Sequence, residues 1–92
     1  MYLINLSKQA EKFFSKLPSK QFKQIVKEIF TLAKNPKQND VKKIKSNSEY
    51  QYYRKDIGEC RIIYRYNTEV LYITVAEKRN DDEVYKTFDR KI

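Results

Sequence analysis

The sequence contains no histidine and no tryptophan, and only one cysteine and one glycine. A single thiol cannot form an internal disulfide, and without histidine the chain lacks the ligands from which zinc sites are usually built. The absence of histidine also removes the commonest general base near neutral pH. Because Gly58 is the only glycine, a glycine-rich phosphate loop is excluded. We therefore expect neither a metal site nor a cofactor.

Long apolar stretches are missing as well. No run of apolar residues is longer than four, whereas a membrane-spanning helix needs about 20. No signal-peptide pattern opens the chain. These features predict a cytoplasmic protein that has no membrane partner. The 40% hydrophobic and 14% aromatic content is typical of a globular protein, and the length predicts a single domain over residues 1–92.

Positive charge is abundant and unevenly distributed. The net charge is +8, and residues 1–49 contain eleven lysines but no arginine, whereas all five arginines follow in the second half. A small basic protein is attracted to polyanions such as nucleic acid, the ribosome or an acidic partner. An AT-rich genome would explain much of the lysine content, but it does not explain why the arginines cluster.

Apolar spacing predicts an α+β fold. Period-3.6 patterns predict two helices, the first capped by Ser7 and the second ended by Asn35-Pro36. Residues 37–49 are polar and are predicted to be irregular. Period-2 patterns predict strands over residues 2–6, 50–56, 60–66 and 70–77. We expect an N-terminal strand, a helical hairpin and a three-stranded antiparallel meander in one sheet (β-α-α-β-β-β). A short C-terminal helix over residues 81–90 fits the pattern too.

Alternation in the strand over residues 60–66 separates two faces. Cys60, Ile62 and Tyr64 form the natural core face, whereas Arg61 and Arg65 lie on the other, exposed face. A site made of arginine, lysine and tyrosine suits RNA cleavage, because the RNA 2′-hydroxyl can attack its own phosphate. The protein then needs only to orient the RNA, stabilise the phosphorane and move protons.

Several motifs resemble the RelE/ParE superfamily of type II toxin–antitoxin toxins, in the right order over nearly the whole chain. They are Ser7-x-x-Ala10 with Phe13 and Phe14, Lys16-Leu17-Pro18, Asn35-Pro36, the run from Tyr53 to Tyr64 with Gly58-x-x-Arg61, and Glu77-Lys78-Arg79 followed by Glu83-Val84-Tyr85. The superfamily's fold has the same order of elements as the one predicted from periodicity. RelE-like members cut mRNA in the ribosomal A site, and each toxin is neutralised by a cognate antitoxin.

The resemblance also implies roles for individual residues. The positions that match the catalytic residues of RelE-like toxins are Arg61, Arg79 and Tyr85. Basic residues that precede the turn orient the RNA, and they match Arg54 and Lys55 here. Asp56 stands where many relatives carry a further basic residue.

The sequence is compatible with other functions as well. ParE-like members share the fold, lack the catalytic set and inhibit DNA gyrase, and a non-catalytic RNA- or ribosome-binding protein would need only the basic first half. The lysines around residue 44, including Lys43 and Lys45, form either a solvated loop or a contact to the RNA backbone. Arg65 could face solvent or the antitoxin, and Cys60 is expected to be a small core residue.

Overall fold

The computed structural model describes residues 1–38, 40–79, 86 and 88. Within this part of the chain, five strands form one sheet in the order β1-β5-β4-β3-β2. The elements in chain order are β1 (Leu3–Leu6), α1 (Lys8–Ser15), α2 (Ser19–Lys34), β2 (Lys42–Ile44), β3 (Tyr52–Ile57), β4 (Cys60–Tyr66) and β5 (Val70–Lys78). The predicted α+β class is confirmed.

The two helices cover one face of the sheet. Ser7 caps α1 as predicted: its Oγ accepts a hydrogen bond from the backbone N–H of Ala10 at 3.1 Å and donates one to the carbonyl of Thr74 at 2.7 Å. The buried side chains of both helices recur at helical spacing and are Ala10, Phe14, Ile25, Ile29, Leu32 and Ala33. Phe22 and Phe30 are also apolar residues of α2, but they are 42% and 46% exposed.

The sheet is mixed rather than purely antiparallel. Strands β2 to β5 pair antiparallel, which includes the predicted meander, but β1 pairs parallel to β5 with Leu3 opposite Val70 and Leu6 opposite Ile73. The connection between these parallel neighbours is long, because both helices and strands β2 to β4 lie between β1 and β5 in the chain. The helical hairpin carries the chain to the opposite edge of the sheet, where β2 begins.

The segment 37–49 is not wholly irregular, so this expectation was wrong. Residues Lys42–Ile44 form β2 along β3, with Lys42 opposite Arg54 and Ile44 opposite Tyr52. Three residues are too few for an alternation signal to emerge from a lysine-rich sequence. The predicted C-terminal helix lies mostly outside the described residues, of which Lys86 and Phe88 are helical.

A β-bulge in β5 exchanges the two faces of that strand. Ile63 lies opposite Val75 and Tyr64 lies opposite Ile73, which leaves Thr74 as an extra residue. Ile73 therefore packs under the helices, whereas Val75 packs on the opposite face of the sheet in a second small cluster with Tyr52, Ile63 and Phe88.

A glutamine side chain continues the edge of the sheet where β1 ends. The amide of Gln9 donates from Nε2 to the carbonyl of Ala76 at 2.7 Å, and its Oε1 accepts from the N–H of Ala76 at 2.9 Å. The same Nε2 lies 2.8 Å from Oε1 of Glu77. The side chain thus pairs with β5 as another strand would, and it ties α1 to the end of β5 that leads to Arg79.

Candidate functional site

Three arginines surround one carboxylate on the sheet face that the two helices leave uncovered. Arg54 and Asp56 project from β3, Arg61 projects from β4, and Arg79 directly follows β5. The backbone register places Asp56 opposite Arg61. We call Arg54, Arg61 and Arg79, together with Asp56, the arginine cluster.

The distances show which arginine Asp56 holds most closely. Arg61 donates from Nε to Oδ1 of Asp56 at 2.7 Å, and its Nη2 lies 3.4 Å from Oδ2. The Nε atoms of Arg54 and Arg79 lie at 4.0 and 3.9 Å from the same carboxylate. The side chains of Arg54 and Arg61 are 17% and 14% exposed, whereas that of Arg79 is 55% exposed. Arg79 is therefore the outer arginine of the cluster and has the most freedom to move toward a ligand.

The arginines stabilise the charged form of Asp56. The hydrogen bond from Arg61 lowers the pKa of this carboxyl below its ordinary value, and this effect outweighs the opposing effect of partial burial. The positive charges of Arg61, Arg54 and Arg79 act in the same direction. Asp56 is thus ionised at neutral pH and compensates part of the positive charge of the cluster.

The β3–β4 turn positions Arg79. Gly58 adopts φ of 56°, a left-handed conformation that costs other residues energy, and so permits the two-residue turn. The backbone N–H of Arg79 donates to the carbonyl of Glu59 at 2.9 Å, and Nη1 of Arg79 donates to the carbonyl of Gly58 at 3.3 Å. The end of β5 is therefore fixed to the turn, which holds the Arg79 guanidinium beside Asp56.

Two further charged residues flank the cluster. Lys42 of β2 lies opposite Arg54, and Glu77 of β5 lies opposite Arg61, so both belong to the same face. Lys42 is one of the lysines around residue 44 that were predicted to form a solvated loop or an RNA contact, but nothing in a three-residue strand reveals which of these lysines faces Arg54. Among the described residues of the cluster and its flanks, the four basic side chains outnumber the two carboxylates.

The structure brings together only part of the predicted set. Arg54, Arg61 and Arg79 meet, but Lys55 is 4% exposed on the helix-covered face, where its Nζ contacts Oε1 of Gln38 at 2.7 Å and Oδ2 of Asp40 at 2.8 Å. Lys55 therefore joins the loop before β2 to the core and does not reach the cluster.

The remaining predicted residues lie outside the cluster. Lys43 is exposed and lies opposite Tyr53, on the other face from Arg54. Lys45 is exposed just beyond β2. Tyr85 lies outside the described residues. Cys60 is buried in the core, and burial raises the pKa of its thiol, which disfavours the nucleophilic thiolate.

Two other kinds of site are not evident in the described residues. No group of three or more cysteine, aspartate or glutamate side chains is arranged there to hold a metal ion. None of the described helices is long and apolar enough to cross a membrane.

A large apolar groove lies on the other side of the molecule, between β1 and the helical hairpin. Its volume is about 890 Å³. Exposed apolar side chains line it from both sides, among them Leu3 and Leu6 of β1 and Phe22 and Phe30 of α2. Several large apolar side chains that are exposed along one groove offer a surface suited to a protein partner.

The fold is shared with known toxins. The chain is similar to the RelE chain of an archaeal RelE–RelB complex from Pyrococcus horikoshii OT3, with 25% identity and a TM-score of 0.73 over 87% of this chain and 97% of that one. It is similar to YoeB from a Staphylococcus aureus dimer, with 25% identity and a TM-score of 0.67 over 85% and 97% of the two chains. A chain of the toxin–antitoxin complex RelBE2 from Mycobacterium tuberculosis has the same fold, with 20% identity and a TM-score of 0.71 over 85% and 98%.

Sequence comparison gives a family. No curated protein matches the chain significantly. The family model described as the ParE toxin of the type II toxin–antitoxin system parDE matches residues 4–82, which include β1 except Leu3, both helices, strands β2 to β5 and the arginine cluster. The resemblance to the RelE/ParE superfamily is thereby confirmed, and the chain belongs to the ParE toxin family of type II toxin–antitoxin systems.

Proposed function

We propose that this toxin is a metal-independent endoribonuclease that inhibits translation in the cytoplasm by cleaving mRNA in the ribosomal A site. The observation that carries the proposal is the convergence of Arg54, Arg61 and Arg79 on a single anionic group. Three guanidinium groups aimed at one point are suited to a phosphate that gains negative charge during the reaction. In this interpretation the phosphate binds to the same three arginines, next to the carboxylate of Asp56.

The proposed reaction uses the RNA's own nucleophile. The 2′-hydroxyl oxygen attacks the adjacent phosphorus and loses its proton, the bond to the 5′ oxygen of the next nucleotide breaks, and that oxygen takes up a proton. The products are a 2′,3′-cyclic phosphate and a 5′-hydroxyl end. Arg61 and Arg79 stabilise the pentacoordinate intermediate, and Arg54 orients the RNA. One well-placed donor to a developing oxyanion contributes about 3–4 kcal/mol. Tyr85 is proposed to stack on the cleaved nucleotide or to protonate the leaving oxygen.

The test is a cell-free translation reaction with one defined mRNA, in which new 5′ ends are mapped with and without the toxin. Cleavage at A-site codons that requires ribosomes is expected for the wild-type protein. The loss of one cationic donor in Arg79→Ala should reduce the cleavage rate by roughly 10²- to 10³-fold. Lys27→Gln on the exposed face of α2 is the matched control for lost charge. Unaltered cleavage by Arg79→Ala would remove the cluster from the mechanism.

Inhibition of DNA gyrase is the second candidate. It is favoured by the match to the ParE family and by Asp56, which offsets part of the charge that a phosphate would need. A supercoiling and DNA-cleavage assay with purified gyrase separates the two functions. Gyrase inhibition without mRNA cleavage would assign the arginine cluster to a protein contact.

The proposed partner is a cognate antitoxin that docks in the apolar groove. Relatives of the same fold were solved as complexes of RelE with RelB, which supports a cognate antitoxin as the partner, and the choice of the groove rests on its exposed apolar side chains. Lys12, Lys16 and Lys23 are exposed and adjoin lining residues of the two helices in sequence, and Glu11 is the charged residue in the lining itself. We therefore expect an amphipathic segment with apolar residues toward the groove and acidic residues at its rim. Phe30→Glu should weaken antitoxin binding in a calorimetric titration, while Lys27→Gln should change it little.

A further inference from the structure

A second feature on the face of the arginine cluster is a stack of one arginine on two tyrosines. The guanidinium carbon of Arg65 in β4 lies 4.1 Å from the ring centroid of Tyr50 and 3.9 Å from that of Tyr72. The register explains the second contact, because Arg65 lies opposite Tyr72 of β5. Tyr50 reaches the arginine from the loop before β3, where its backbone N–H donates to Oγ of Ser48 at 3.2 Å. We call these residues the Tyr50–Arg65–Tyr72 stack.

Arg65 differs from the other arginines on this face in its surroundings. Arg54, Arg61 and Arg79 all approach Asp56, whereas no carboxylate in the described part of the chain pairs with Arg65. Glu49 precedes Tyr50 in the sequence and is exposed, but it makes no ion pair with this guanidinium. The tyrosine rings stabilise the cation without neutralising it, so its positive charge stays available to an anion.

The aromatic surface of the stack is accessible. Tyr50 is 49% exposed, whereas Arg65 and Tyr72 are partly buried. The flat ring of Tyr50 is therefore accessible to solvent and is supported from below by Arg65. An exposed tyrosine held in place by a cation loses little conformational entropy when a second planar group stacks on it. A nucleobase is such a group, and stacking on protein aromatic rings accepts any base.

The distance between the Tyr50–Arg65–Tyr72 stack and the arginine cluster allows one RNA strand to contact both. Arg61 and Arg65 are on the same face of β4, four residues apart, which corresponds to about 13 Å along a strand. Between them lies the small apolar cluster of Ile63, Tyr52, Val75 and Phe88. A single strand whose phosphate is held at the cluster would therefore place a nearby nucleotide over Tyr50.

We propose that the Tyr50–Arg65–Tyr72 stack is a binding site for an unpaired RNA base, with Arg65 contacting the phosphate next to it. It rests on the proposed function for the identity of the nucleic acid, since the mRNA in the A site is the single strand that would occupy it. An acidic protein segment could also pair with Arg65, but it would make no use of the exposed tyrosine ring. The ring and the unneutralised cation together favour a base with its phosphate.

Binding without cleavage tests this site directly. Two short fluorescent probes of equal length and charge are compared by anisotropy: a 2′-O-methyl RNA, which cannot be cleaved because its 2′ oxygen is blocked, and the same backbone without bases. Tyr50→Leu removes the ring. We expect it to weaken binding of the base-bearing probe by about 5- to 150-fold, as observed for single stacked bases. Binding of the probe without bases should not change.

Three control variants define the origin of the effect. Tyr50→Phe keeps the ring and should bind both probes like the wild type. Arg65→Gln should weaken both probes, whereas Lys27→Gln, which removes one charge from α2 on the other side of the sheet, should change neither by as much. Thermal unfolding of each variant shows whether the fold is retained.

The outcomes separate this inference from the proposed reaction. Base-dependent loss of affinity in Tyr50→Leu supports the stacking site even if the toxin cleaves no mRNA on ribosomes. Equal binding of the base-bearing probe by folded Tyr50→Leu and wild type overturns it, even if cleavage is intact. Weakened antitoxin binding by Tyr50→Leu with unchanged RNA binding also overturns it and assigns the surface to a protein.

Discussion

Asp56 is the residue whose replacement tests the charge of the arginine cluster most directly. Asp56→Asn keeps the shape of the side chain and removes its negative charge. A phosphate held by the same arginines would lie about 5 Å from this carboxylate, and at an effective dielectric constant of about 40–80 the repulsion between them is about 0.8–1.7 kcal/mol. We therefore expect Asp56→Asn to bind non-cleavable RNA roughly 4- to 17-fold more tightly than the wild type.

The assay is fluorescence anisotropy with a 2′-O-methyl RNA at several salt concentrations. The gain should shrink as salt rises, since the side chain of Asp56 is 33% exposed and its field is screened. Glu28→Gln is the matched control, because it makes the same change of net charge on α2, behind the other face of the sheet. The lost ion pairs should cost the fold about 0.2–1 kcal/mol, because partly exposed pairs contribute little.

One result would refute this reasoning. If folded Asp56→Asn bound RNA as weakly as the wild type at every salt concentration, the carboxylate would not compete with a phosphate for the arginines. A gain of the same size in Glu28→Gln would show that only net charge matters and that the cluster is not the RNA site.

Three further predictions concern stability and the residues near the cluster. Lys55→Ala should lower the free energy of unfolding in urea by about 1–3 kcal/mol and leave RNA affinity unchanged, since Lys55 pairs with Asp40 on the helix-covered face. Reduced RNA affinity in this variant would show that the pair with Asp40 opens. Gly58→Ala should cost about 1–2 kcal/mol, measured as a lower Tm, because φ of 56° is unfavourable with a Cβ and the added atom would lie 3.0 Å from Oε1 of Gln24. An unchanged Tm would mean that the turn relaxes. The lowered pKa of Asp56 predicts that its contribution to stability is fully present above the ordinary value of 3.8 and disappears as pH falls through the folded-state pKa. The difference in unfolding free energy between wild type and Asp56→Asn should therefore decrease on acidification, and a constant difference would contradict it.

Much of the fold could be predicted because the helices and strands produce a local periodicity of apolar residues in the sequence. The stripe that places Ala10 and Phe14 in the core, the cap at Ser7 and the alternation in β4 all follow from neighbours a few residues apart. The bulge at Thr74 could not be predicted in this way. Leu71, Ile73 and Val75 alternate in sequence as if they shared one face, and only the register against β4 shows that Val75 lies on the other.

In the candidate site, too, the features that depend on local alternation could be predicted, whereas those that depend on contacts between distant segments could not. Arg61 was predicted on an exposed sheet face from alternation alone, but its meeting with Arg54 depends on the pairing of β3 with β4. Lys55 illustrates the limit, since its charge gives no sign that Asp40 and Gln38 of a distant loop cover it. Lys42 and the stack on Arg65 likewise arise from contacts between strands, which the sequence pattern does not contain.

The amide of Gln9 also limits what can attach to the molecule's edge. Beyond Leu6 the chain turns into α1, and Gln9 already satisfies both backbone groups of Ala76. A partner that extended the sheet by pairing with the outer edge of β1 would thus find four residues of ladder, from Leu3 to Leu6, before the helix blocked its path. The outer edge of β1 thus limits the length of a strand that could pair with it, and a longer ligand would have to leave the sheet beyond Leu6 and continue along the helices.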